Sequence, residues 1–181
     1  TGNTVISNGT LTVSATGTLA ATTDVSVAEN AIYDVDSTDT IQSLSGAGDV
    51  QLATGLTLTF GDTTNYTLSG DISGAGSIIK QGAGVQTLSG TNSYTGDTTT
   101  TTGTLKLTGS LNTATDLVIG SNGTLDLQSA QTFATLDLDG AISNTAGTSS
   151  LVISGAASME GTAATTGTQT YNGAVTLTDT T

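Results

Sequence analysis

Apolar and polar residues alternate along this chain only in runs of three to five, and Gly, Asn, Asp or Ser cuts each run short. Leu11-Thr12-Val13, Val25-Ser26-Val27, Val50-Gln51-Leu52 and Leu56-Thr57-Leu58-Thr59-Phe60 are early examples. Leu105-Lys106-Leu107, Leu125-Asp126-Leu127, Leu136-Asp137-Leu138 and Val175-Thr176-Leu177 continue the pattern. A period of two places every second side chain on one face of a strand. The interruptions, such as Asn8-Gly9, Gly46-Ala47-Gly48, Gly74-Ala75-Gly76 and Asn122-Gly123, use residues that tolerate positive φ. The pattern predicts many short strands joined by frequent corners.

Composition removes the competing classes. The helix formers Lys, Arg, Glu and Met are nearly absent and β-branched Thr and Val abound, so almost no helix is expected. Two lysines stand against 15 acids, for a net charge of -13. Clustered cations for phosphate are therefore missing, which excludes nucleic acid as a partner. No apolar run approaches the ~18 residues of a membrane-spanning helix, so the chain is read as not membrane-spanning. Neither an initiator Met nor a signal peptide is present, so any targeting segment is expected to have been removed.

Internal repetition narrows the fold further. Thr23-Asp24-Val25-Ser26-Val27 matches Thr115-Asp116-Leu117-Val118-Ile119 at an offset of 92. That offset continues through Tyr33/Leu125, Val35/Leu127, Leu44/Leu136, Gly48/Gly140 and Val50/Ile142. Leu44-Ser45-Gly46-Ala47-Gly48 returns 28 residues later as Ile72-Ser73-Gly74-Ala75-Gly76, with a degraded copy at Ile153-Ser154-Gly155. Gly103-Thr104-Leu105 returns 20 residues later as Gly123-Thr124-Leu125. Spacings of this size suit one coil of a stacked solenoid with about three short strands per coil. At about 22 residues per coil, roughly eight coils are expected, stacked into a rod of about 40 Å. Outward Thr fits this stacking, because like charges on adjacent coils would repel. Absence of Pro fits as well, because interior strands must donate to their neighbours. A β-sandwich usually carries aromatic core anchors, and aromatics here are 3%. Residues 1–181 are read as a single all-β solenoid segment, part of or a unit of a longer array.

One stretch is more distinctive. It runs Gly74-Ala75-Gly76, Lys80-Gln81-Gly82-Ala83-Gly84, Leu88-Ser89-Gly90-Thr91-Asn92-Ser93-Tyr94-Thr95-Gly96-Asp97-Thr98 and Gly103-Thr104-Leu105. It resembles the passenger-associated β-strand repeat of autotransporters. Residues 115–140 and 23–50 resemble neighbouring segments of such proteins, and 165–177 is similar to repeats of large filamentous adhesins. The resemblance implies a right-handed parallel β-helix, secreted or at the surface of a Gram-negative bacterium. It implies no ligand. The chain opens mid-repeat at Thr1-Gly2-Asn3-Thr4, so an excised fragment or a matured unit is expected.

Chemistry is sparse. The chain has no His, Cys or Arg, which removes His-dependent nucleophilic triads, zinc centres and arginine-based lyase chemistry. Asp137 and Asp139, like Asp34 and Asp36, share one strand face at about the separation of an inverting glycosidase pair. The favoured reading is a solvated outer face. Asp137-x-Asp139-Gly140 and Gly46-Ala47-Gly48-Asp49-Val50 are fragments of calcium loops without the closing ligands. No catalytic, cofactor or metal residue is assigned. Lys106 and Asp126 share an outward phase one coil apart and are expected to stack as an exposed pair. The ladders Thr57/Thr59, Thr98/Thr100/Thr102 and Thr176/Thr178 suggest ice binding, but lack a constant coil period. Asn8, Asn65 and Asn122 head glycosylation sequons, which are frequent by chance in a Thr-rich chain.

Three function classes remain. The first is a structural, non-enzymatic β-helical stalk or adhesin segment. The second is a filament subunit that self-associates end to end through open β-edges. The third, remote, is an ice binder or a polysaccharide-active enzyme.

Overall fold

A computed structural model describes residues 2–178. It is a β-solenoid of about nine turns, built from parallel strands. Among the described residues there is no helix, and so none long and apolar enough to cross a membrane.

Each turn has three faces. The third turn shows them in order: Ser43–Gly46 on the first face, Asp49–Leu52 on the second and Thr57–Phe60 on the third. The chain then climbs to Tyr66–Leu68, back on the first face. Every strand pairing is parallel, as one-way winding requires. The Cα partners on the first face measure the coil. Val25 pairs with Leu44, Leu68 with Leu88, Leu88 with Leu107 and Leu107 with Leu127. These steps are close to 20 residues, shorter than the 22 expected, so the chain makes about nine turns and not eight.

Alternation sets the core. Leu68, Leu88, Leu107 and Leu127 form one inward column, each fully buried. Tyr33, Val50 and Ile72 form a second, and Leu58, Ile78, Thr98, Leu117 and Leu136 a third. Stacking identical or similar side chains at ~4.8 Å leaves no gap between layers. One hydrophobic cluster runs from Ile6 to Ala157.

The 92-residue repeat keeps its inside and outside but changes face. Val25 and Val27 lie on the first face, while their counterparts Leu117 and Ile119 lie on the third. All four are buried. The 28-residue echo behaves alike: Gly46 ends a first-face strand and Gly74 ends a second-face strand. Both adopt positive φ, 117° and 104°. A Cβ on either would lie about 2 Å from a carbonyl oxygen of the coil below. The corners are thus built alike, and a repeated segment fits one corner as well as the next. The third copy differs, because Gly155 does not adopt positive φ.

Val175 and Leu177 stack on Ala157 and Met159, yet are 43% and 77% exposed.

Candidate functional site

The distinctive stretch runs from the fourth turn into the start of the sixth. From Leu88 to Thr98 the alternation continues through two corners, relaxed only at the half-buried Gly96. Leu88, Gly90, Asn92, Tyr94 and Thr98 are buried, and Ser89, Thr91, Ser93, Thr95 and Asp97 are exposed. Each buried polar group has a stated partner. Asn92 Oδ1 accepts from the Ile72 amide at 3.0 Å, and Asn92 Nδ2 donates to the carbonyls of Gly90 and Ser110. It thereby ties three successive coils together. Tyr94 OH and Thr98 Oγ1 share a 2.5 Å hydrogen bond.

Lys80 points inward. On the third face it sits in a column between Phe60 and Thr100, and is 1% exposed. Its Nζ donates to the carbonyls of Gly82 and Gly84 at 2.5 Å and of Thr102 at 2.9 Å. Three donors meet three acceptors, which uses the full capacity of an ammonium group. The carbonyls belong to the corner that follows Lys80 and to the coil above, so one side chain clips two turns. Burial pushes its pKa down to about 8, with the Asp62 charge pulling it upward. A lysine enclosed in this way has no face for a substrate.

Gln86 fills a different need. The strands Ser43–Gly46 and Tyr66–Leu68 share a single Cα pair, Gly46 with Leu68, because the chain makes a longer corner at 61–65. Leu44 thus lacks a rung on that side. Gln86 Nε2 reaches its carbonyl at 3.1 Å from two coils away. Gln86 Oε1 and Thr100 Oγ1 remain buried without a protein partner. Neither Lys80 nor Gln86 was singled out by sequence reasoning as a buried clip. The available signal was Lys80 followed by Gly82 and Gly84, and later by Gly103.

The acids sit elsewhere. Asp137 and Asp139 are exposed, Asp36 is exposed and Asp34 is half-buried, accepting from Thr12 Oγ1. Asp49 Oδ1 accepts from the Asp71 amide. Among the described residues no three acidic groups converge on a metal-sized site. The outward Thr columns are broken: Thr67 and Thr87 lead into Lys106 and Asp126, and Thr59 and Thr99 are separated by Ile79.

Lys106 and Asp126 are Cα partners on adjacent coils, as their spacing predicts. The exposed pair is corrected, however. Asp126 is 4% exposed, and its carboxylate accepts from Thr145 N, Thr145 Oγ1 and Gln128 Nε2. The chain at 144–149 folds over it, a detour that alternation does not announce. Together these residues border an outer groove of about 480 Å³ that also includes Tyr66, Thr87 and Thr104.

Residues 78–107 match the family model of the passenger-associated-transport-repeat. No curated protein and no solved structure matches the chain. The matched segment begins beside the Lys80 clip and ends at Leu107, taking in Asn92, Tyr94 and the Gly103-Thr104-Leu105 turn. Over these residues the chain is similar to the passenger-associated-transport-repeat, and that segment is set in a β-solenoid of about nine turns.

Proposed function

We propose that the chain is a structural, non-enzymatic segment of an extracellular β-helical stalk or adhesin, secreted to or displayed at the surface of a Gram-negative bacterium. One observation carries this reading. The polar side chains of the matched repeat, Lys80, Asn92, Tyr94 and Thr98, face the interior and bond to backbone or to one another. They hold coils in register, and their polar atoms are engaged in these bonds. Outward positions are mostly short and uncharged, which suits a long exposed rod. Protease shaving of intact source cells, followed by mass spectrometry, tests it. Peptides of this chain are expected in the released fraction, and finding them only inside lysed cells would refute the reading.

A second reading is a filament subunit that self-associates end to end through open β-edges. Light scattering of increasing protein concentrations distinguishes the two. Concentration-dependent growth that Leu177→Lys abolishes supports the filament, and a constant single-chain mass supports the stalk.

A further inference from the structure

We infer that the outer groove on the first face binds a neutral oligosaccharide. Its volume, about 480 Å³, falls within the range of small-ligand sites. The floor consists of two outward columns: Thr67, Thr87, Lys106 and Asp126, beside Val85, Thr104 and Thr124. Tyr66, half-buried, lines one end.

The lining selects among ligand classes. Seven of the eleven lining residues carry a hydroxyl, and a purely apolar ligand would give these groups no partner. A nucleic acid is opposed by the net charge of -13. A peptide strand has no edge to join, because the strands flooring the groove already pair on both sides. Lys106 and Asp126 supply one charge of each sign, so the groove is locally balanced and favours an uncharged ligand. Successive coils repeat donors and acceptors every ~4.8 Å, close to the length of one pyranose ring. Tyr66 offers an aromatic surface with a polar tip to such a ring. Lys106 and the threonine hydroxyls then bond to sugar hydroxyls. The groove stands apart from the buried clips, so a stalk without a ligand survives the failure of this inference.

Isothermal titration of the purified chain with cellohexaose, laminarihexaose and maltohexaose tests it, with hexagalacturonic acid as the charged comparison. At least one neutral hexasaccharide is expected to bind, and Lys106→Ala or Thr87→Trp to weaken it by about tenfold or more. Both substitutions point outward, and unchanged circular dichroism confirms that the variants fold. Three results would each overturn the inference: no binding of any neutral hexasaccharide, preference for hexagalacturonic acid, or binding that both folded variants retain.

Discussion

A Cβ on Gly103 would lie 2.5 Å from the Nζ of Lys80, although 23 positions separate them in the chain. Glycine at 103 is what leaves room for the buried ammonium, and the two residues form one device. The same Cβ would also meet the carbonyls of Gly82 and Gly84 at 2.3 and 2.7 Å, and Gly103 adopts φ of 70°. Gly103→Ala is therefore expected to destabilise the fold by about 2–4 kcal/mol. The midpoint of urea unfolding measures this, and an unchanged midpoint would contradict the clip.

Lys80→Met keeps the side chain's length but removes the ammonium donor from three carbonyls, of which only that of Gly84 is seen to keep another donor outside the strand ladders, Thr104 N. Each buried unsatisfied acceptor costs about 1–3 kcal/mol, partly offset because no charge need be desolvated. A net loss of about 2 kcal/mol is expected in denaturant unfolding.

The same residue sets a pH dependence. Its pKa falls from 10.5 in the unfolded chain to about 8 in the fold. Between these values the unfolded chain holds more protons, so stability rises with pH from about 8 toward 10. Near and above pH 10 the trend reverses, because burial raises the Tyr33 and Tyr94 phenols and only the unfolded chain ionises them readily. Lys80→Met is expected to lose the rise between pH 8 and 10 and keep the later fall. Unfolding midpoints across pH 7 to 11 check both arms.

Asn92→Leu removes bonds to Ile72, Gly90 and Ser110 while keeping side-chain bulk. A loss of about 2–3 kcal/mol is expected. Asp137→Asn, on an exposed outward position, is expected to stay within about 0.5 kcal/mol of the parent. Equal effects from the two would mean that inside and outside are misassigned.

Much of this fold is legible in the chain, because alternation states directly which side chain faces in. Leu105 and Leu107 are buried around a half-buried Lys106, and the 20-residue return of Gly-Thr-Leu is one coil in register. Alternation says nothing about which of three faces a strand occupies, so the 92-residue repeat was readable as a repeat but not as a rotation. Lys80 resists a hydropathy reading, because in Ser77-Ile78-Ile79-Lys80 the charge is inward and Ile79 is outward. Its place is set by carbonyls at a corner, which hydropathy does not register. Asp126 was placed in the right column, but the cover over it comes from Thr145 across an irregular segment.

Lys80 and Lys106 are the only two lysines of the chain, so amine acetylation of the native protein, followed by peptide mass spectrometry, separates them cleanly. Lys106 is expected to react while Lys80 stays protected until the protein is unfolded. Labelling of Lys80 at a rate comparable to Lys106 in the native state would contradict an inward-facing repeat, and with it the structural reading.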